Sequence, residues 1–448
     1  MDLVLLSRIQ FAFTVGFHYI FPPLSIGLSL IMVMMEGTYL KTGNPLYHKM
    51  TQYWVKIFSL IFAVGVASGI VMEFQFGTNW SEYSRFVGDV FGSALAAEGV
   101  FAFFLESGFL AVLLFGWDKV SKKMHFISTV LVGLGAHFSA LWIIVANSWQ
   151  QTPTGYLLAG HGTMVRAEIT DFWAVVFNPS TIDRFTHSIV GAWQAGAFLV
   201  LSISAYHLLK KKNLDFAKAS MKFGLGLAVV ASLLQLVTGH SSAIGVSKNQ
   251  PAKLAAFEGH YEDNVPGTLY LSGWVNEKQE KVQLGIGIPK MLSVLVSGNP
   301  NTPIKGLRAF PPADRPPVNI VFQTYHGMVA IGMALIGLSL LGVFLLWRNQ
   351  LFENKWVLRA FVISVLGPQI ANQLGWASAE IGRQPWIVYG LLRTSNACSK
   401  VLTSGEVIFS LVMFGFIYLL LFLVFIYLLD HKIRFGLDEH MTSGGHRA

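Results

Sequence analysis

Runs of about twenty apolar residues with almost no charge recur along the chain, separated by short clusters of Lys, Arg, Asp, Glu, Gly and Pro. A bilayer core about 30 Å thick takes roughly 20 helical residues to cross, so each run predicts a spanning helix. Six runs are plain, at residues 11–35, 185–209, 223–240, 319–346, 357–377 and 407–429. Three more tolerate polar positions, at 54–76, 90–116 and 126–147, the second of them holding Glu98 and Glu106. The pattern predicts an all-α integral membrane protein, a bundle of nine transmembrane helices. Six spans fall within residues 1–240, a long extracytoplasmic loop occupies 241–318, and three spans with a cytoplasmic tail fill 319–448. The first span is too long for a signal peptide and lacks a basic start and a small-residue cleavage site, so it is expected to be retained.

Composition agrees with a bilayer environment. Charged residues make up 12% of the chain and hydrophobic residues 53%, about half the charge of a soluble domain. Lys and Arg gather in alternate connections, at Lys119, Lys122 and Lys123, at Lys210 to Lys212, at Arg348, Lys355 and Arg359, and at Lys432, Arg434 and Arg447. Basic short loops stay on the cytoplasmic side, which predicts an outer N-terminus and an inner C-terminus. The net charge of +8 then belongs to membrane-facing loops, and no nucleic-acid partner is expected. The loop at 241–318 is rich in Gly, Pro, Lys and Glu, and its segment "PNTPIKGLRAFPPADRPP" predicts irregular structure. A lone cysteine, Cys398, allows neither an internal disulfide nor a CxxCH haem attachment. Any haem is therefore expected to be held by packing and axial ligands.

Ionisable groups within a span cost several kcal/mol unless paired, hydrated or ligated, so each is a functional candidate. His18, Glu98, His187, Met328 and Glu380 come from five different spans and are expected to share the outer part of the membrane. Helix bundles build cofactor sites from such facing side chains. Judged singly, His18 in "FTVGFHYIFPP" suits a hydrogen bond beside a proline bend as well as it suits a ligand. His187 reads as an interfacial histidine and Met328 as core packing. Glu98 and Glu106, in "AAEGVFAFFLES", are harder to dismiss: eight helical residues separate them by about 12 Å and about 80°, which suits successive points on one polar path with Ser139. A haem-copper oxidase needs a tight group of histidines that is missing here. A di-haem cytochrome b wants two spaced histidines on each of two helices, also missing. A secondary transporter usually shows repeat symmetry.

The segments "SRIQFAFTVGFHYIFPPL", "EFQFGTNWSEY", "AAEGVFAFFLESGF", "ALWIIVANSWQQTP", "FTHSIV", "AKLAAFEGHYE" and "AEIGRQPW" occur in this order. Together they resemble subunit I of the cytochrome bd-type quinol oxidases, in the form with a short quinol loop, over nearly the whole chain. The resemblance implies a respiratory enzyme that oxidises membrane quinol, reduces oxygen to water through three haems and builds a proton-motive force without pumping. By it, His187 and Met328 match the axial pair of a low-spin haem b. His18 matches the ligand of one of two closely spaced haems, a high-spin haem b and haem d, and Glu380 the ligand of the other. Glu98 matches a carboxylate beside that pair, Trp376 a nearby aromatic, and Glu106, Ser139 and Asp118 a proton route from inside. Lys253 and Glu258 match the quinol-interacting part of the loop; without the resemblance they read as a solvated charged stretch. Arg383 is placed to balance Glu380 or a haem propionate. Implied partners are subunit II, a small single-helix subunit, quinol and oxygen, in a bacterial or archaeal cytoplasmic membrane. One departure stands out: the family often has arginine two residues before the methionine ligand, where this chain has His326. The alternatives are a haem-containing electron conduit or sensor without oxygen reduction, and a carboxylate-coupled transporter. A conduit has no need of the proton supply that two intramembrane glutamates offer.

Overall fold

The structure, a computed structural model, describes residues 2–435; Arg447 and the last part of the expected tail lie outside them. Helices follow in the order α1 (Leu3–His18), α2 (Phe21–Thr42), α3 (Pro45–Thr78), α4 (Ser81–Glu98), α5 (Phe104–Phe115), α6 (Lys122–Gln151), the short α7 (Phe172–Val176), α8 (Thr181–Leu209), α9 (Leu214–Asn249), α10 (Pro251–Phe257), α11 (Met291–Ser297), α12 (Val318–Trp347), α13 (Lys355–Ile363), α14 (Leu366–Ile381) and α15 (Ser404–Phe435). Among the described residues, nine helical stretches are long and apolar enough to span a membrane, as expected. Helix α8 is the central post: 89% of its apolar stretch is buried, against 11% for α15 and 17% for the stretch Ser81–Phe115. It crosses α2 at bare backbone. A Cβ added to Gly27 would stand 2.3 Å from the Ala192 carbonyl oxygen, and one on Gly196 equally close to the Gly27 main chain. Small residues allow this approach in membrane bundles, where close packing replaces the hydrophobic drive.

Three expected spans are not plain α-helices. The first breaks after His18, because Pro22 and Pro23 occupy the first turn of α2 and supply no amide hydrogens to the turn before. The eighth breaks at Ser364–Val365, four residues before Pro368, for the same reason. Between α4 and α5, Gly99–Phe103 forms one turn of π-helix. A π turn absorbs one extra residue, so the eight steps from Glu98 to Glu106 turn the helix like seven, and the expected 80° offset shrinks to roughly 20°. The two carboxylates share a face.

The long connection is ordered. Helix α9 runs on to Asn249 and α10 follows from Pro251. Strands Leu269–Asn276 and Lys281–Ile288 then pair as an antiparallel hairpin that packs on α12. The segment 300–317 has a two-residue strand and two short 3-10 turns between irregular stretches. This end of the bundle is called the loop end below.

Candidate functional site

Glu380 sits in the last turn of α14 at the loop end. Its Oε2 accepts from Arg383 Nη2 at 2.5 Å, and its Oε1 from Asn147 Nδ2 at 3.1 Å and Gln151 Nε2 at 3.3 Å. Asn147 and Gln151 are one turn apart on α6, so a single helix face supplies both amides. Arg184 of α8 lies 3.9 Å from Oε1 and donates to Asn147 Oδ1. Arg383 is itself buried and holds Gln150 Oε1 at 3.3 Å and the Trp386 carbonyl at 3.2 Å. Lys253 of α10 donates to Gln151 Oε1 at 2.5 Å. Burial, with Arg184 and Arg383 nearby and Glu380 opposing them, holds the Lys253 ammonium well below its ordinary pKa. One carboxylate thus faces Arg383, Arg184 and Lys253. Such a cation surplus inside a protein suits additional anionic groups. The half-buried Trp376 is one turn before Glu380 on α14.

His18 closes α1 against α3. Ser68 spends its single hydroxyl hydrogen on the carbonyls of Val64 and Gly65, at 2.8 and 3.0 Å. With that hydrogen on a carbonyl, its oxygen, 3.0 Å from His18 Nδ1, is an acceptor for an Nδ1–H, and that arrangement leaves the lone pair on Nε2. This is the tautomer that a ligating histidine fixed by an outer partner adopts. Gly69 leaves room for the ring: a Cβ there would stand 3.1 Å from His18 Cε1. Between α1 and α14 a cavity of about 560 Å³, lined chiefly by apolar side chains with Gln369 and Gln373, opens to the bundle surface.

Ser139 donates to Glu98 Oε1 at 2.7 Å. Ser139 lies two turns below Asn147 on α6, so Glu98 is about 12 Å deeper than Glu380. The expected common level of five ligands therefore excludes Glu98. Glu106 is buried against Gly135, where a Cβ would stand 2.9 Å from the Glu106 Cβ, and it lies within electrostatic reach of Glu98. Asp118 is exposed in the turn after α5, about 18 Å further along the axis than Glu106.

His187 of α8 packs against α9 and Met328 of α12 against α14, where these four helices meet. A Cβ on Gly375 of α14 would stand 2.7 Å from Met328 Sδ, and one on Gly239 of α9 would stand 3.4 Å from His187 Cε1. Gly191, one turn after His187, faces Asn372 and Gln235 in the same way. The Gln235 amide nitrogen lies 3.1 and 3.2 Å from the two ring nitrogens of His187. Where these helices meet, Gln235 Oε1 and Asn372 Nδ2 are buried without a hydrogen-bond partner, as are both amide atoms of Gln369 beside the cavity between α1 and α14. Polar atoms orphaned in an apolar interior mark a place built for a further group. His326 Nε2 and Nδ1 lie 2.7 and 2.9 Å from the carbonyl oxygens of Tyr270 and Phe322. It ties the hairpin to α12.

The structure parts the residues that the sequence paired. Five helical residues turn about 140°, so Lys253 at the start of α10 points to the Glu380 network while Glu258 at its end lies under the hairpin. Glu258 is buried, Oε2 has no hydrogen-bond partner, and the carboxyl accepts from the Tyr270 backbone. Burial pushes its pKa up to about 8 against that hydrogen bond. Sequence reading missed Asn147, Gln150, Gln151 and Arg184; the available signal was the polar run "NSWQQ" ending an apolar helix and an arginine three residues before His187.

The family described as cytochrome bd terminal oxidase subunit I matches residues 6–437. Cytochrome bd ubiquinol oxidase subunit 1 of Bacillus subtilis (strain 168) is 40% identical, covering 98% of this chain and 95% of its own. Cytochrome bd-II ubiquinol oxidase subunit 1 of Escherichia coli (strain K12) is 34% identical, covering 97% of each. The solved bd oxidase from Geobacillus thermodenitrificans superposes with a TM-score of 0.90 at 28% identity, over 97% of this chain and 98% of that one. The chain belongs to the cytochrome bd terminal oxidase subunit I family.

Proposed function

We propose that this terminal oxidase subunit oxidises membrane quinol beside Glu258, under the hairpin, and supports oxygen reduction to water between α1 and α14. The observation that carries this reading is the cation surplus around Glu380, together with a histidine, His18, whose Nδ1 is engaged by Ser68. That donor set suits haem: His187 with Met328 for a low-spin haem b, and His18 and Glu380 for a neighbouring high-spin haem b and haem d. Arg383, Arg184 and Lys253 would then face propionates. When bound, haem supplies the electron relay and the oxygen-binding centre. Glu258 accepts a quinol proton, since oxidising a quinol requires a base. Glu106 and Glu98, brought to one face by the π turn, with Ser139 donating to Glu98, carry protons toward the oxygen site from the Asp118 end. With the N-terminus outside and the C-terminus inside a bacterial inner membrane, quinol protons leave outside and water protons enter from inside. A potential then forms without a pumping step. Subunit II, together with a small single-helix subunit, covers the sparsely buried faces of α15 and Ser81–Phe115.

A reduced-minus-oxidised absorption spectrum of the purified oxidase tests the reading. A red chlorin band with two b-type signals is expected; b-type bands alone support a conduit, and no haem supports a transporter. Met328→Leu is expected to abolish the low-spin b-type signal, and its survival would sink the axial assignment. The Glu258 base predicts a pH profile. The carboxyl works when ionised, so below about 8 the rate of quinol oxidation should fall about tenfold per pH unit and level off above it. Glu258→Gln should lower the rate and flatten that slope. An unchanged slope in the variant would assign the profile to another group.

A further inference from the structure

We propose that the hairpin of Leu269–Asn276 and Lys281–Ile288 is a membrane-interface element whose outward face rests in the lipid of the loop-end leaflet, with acyl chains covering Leu271, Leu284, Ile286 and Ile288. A hairpin with one face in water puts its apolar side chains on the protein and its polar ones outside. Here the second strand does the reverse. Val282 still turns inward with Val275, and a Cβ on Gly259 would stand 2.8 and 3.2 Å from their methyl groups. Past Leu284, whose backbone is left-handed (φ 51°), glycines take the inner positions: a Cβ on Gly285 or Gly287 would stand 2.8 or 3.0 Å from the Tyr270 ring. The large side chains are left outside, Leu284 being 95% and Ile286 63% exposed, and Ile288, Leu271 and Trp274 are exposed as well. The segment "VQLGIGI" that carries this face has no charge. A contiguous apolar surface of this kind marks a contact.

Depth identifies what covers it. The first strand descends α12 by three ties: Val275 N donates to Asn319 Oδ1 at 3.0 Å, Gln323 Nε2 donates to the Gly273 carbonyl at 2.7 Å, and His326 Nε2 lies 2.7 Å from the Tyr270 carbonyl oxygen. From Asn319 to His326 is about 10 Å along the helix. Counting roughly 20 residues back from Trp347, where α12 ends, puts the hydrocarbon edge near Met328. Tyr270 and the Leu269–Ile288 pair therefore hang at that edge, and the charged turn from Glu277 to Lys281 is uppermost. Arg308 and Arg315 hold that turn through Glu280, at 2.7 Å each. Positions 319, 323 and 326 form one stripe of α12, and three and seven residues below His326 the same stripe presents the exposed Val329 and Met333. On a spanning helix those side chains meet lipid. The apolar face of the hairpin is thus continuous with a lipid-facing surface. Interfacial elements sink such a face about 5–10 Å into the headgroup and acyl boundary, with tryptophan at headgroup level. Trp274, nearer the turn than Ile286, stands where that anchor belongs.

The test uses the purified, oxidised multi-subunit oxidase in nanodiscs of phosphatidylcholine and phosphatidylglycerol. A single nitroxide is attached in turn to Lys281→Cys, Leu284→Cys, Ile286→Cys or Ile288→Cys, with Cys398→Ser removing this chain's own thiol. A wild-type absorption spectrum shows that each enzyme is folded. Collisions with dissolved oxygen, which prefers lipid, are compared with collisions with a nickel chelate confined to water. Labels at 286 and 288 should favour oxygen and read about 5–10 Å below the phosphates, deeper at 288 than at 284, while the label at 281 should favour the chelate. Preference for the chelate at all four positions means that the face meets water, and it overturns the proposal. Weak collision with both reagents at 284, 286 and 288 means that another subunit covers the face, and it overturns the proposal equally.

Discussion

Glu380→Gln should reduce oxygen uptake by about 100-fold or more, beyond the 10–100-fold typical of losing an outer partner. The amide retains the volume and removes the charge, so the effect isolates electrostatics from packing. Arg383 loses its 2.5 Å partner, and Arg184 and Lys253 lose the carboxylate they share. The cation surplus then grows by one charge in a site where Arg383 is 5% exposed, and unpaired buried charge is what a protein tolerates least. Oxygen consumption and the haem absorption spectrum, measured together, check the result. Near-normal turnover in a fully loaded Glu380→Gln enzyme would remove this carboxylate from the oxygen site. Arg383→Lys should be milder, because an ammonium keeps the charge but loses the guanidinium fork that reaches Glu380, Gln150 and the Trp386 carbonyl at once.

Glu106→Gln should slow turnover by about 100-fold or more, in line with losses of positioned proton carriers, while leaving the haem spectrum in place. Gln matches Glu in size, so the tight fit against Gly135 survives. What disappears is a group able to release and regain a proton on the way to Glu98. Ser139→Ala should produce a smaller loss of the same kind, since it removes the 2.7 Å donor to Glu98 but leaves both carboxylates. Proton uptake after a single-turnover reaction with oxygen distinguishes this from a ligand defect. Normal uptake in Glu106→Gln would send the proton route elsewhere.

Hydropathy located the spans because a bilayer demands whole turns of apolar surface, and no local feature hides a twenty-residue run. It smoothed over the breaks after His18 and before Pro368, since a window average registers a proline as one residue among many. The π turn left no trace in composition: Gly99–Phe103 are as apolar as their neighbours, and only the hydrogen-bond register changes. His18, Glu98, His187, Met328 and Glu380 were visible as polar or ligand-type residues in apolar runs. Asn147, Gln150 and Gln151 were not singled out, because amides at a helix end look like an ordinary exit from the membrane. Their significance comes from meeting Glu380, more than two hundred residues away. Lys253 and Glu258 read as one unit because they are neighbours in sequence; a single helical turn and a half sends them to different places.

The glycine crossing of α2 and α8 bears on electron flow. His18 stands nine residues before Gly27, and His187 nine residues before Gly196. The two helices run parallel from the loop end; His187 sits roughly 13 Å above that main-chain contact, and His18 sits just beyond the break that precedes α2. Backbone touching backbone has no rotamers to relax, which makes that contact a fixed fulcrum for the two proposed redox sites. Their spacing is thus insulated from side-chain motion, and a single methyl at Gly27 or Gly196 would register as slowed electron passage as well as weakened packing.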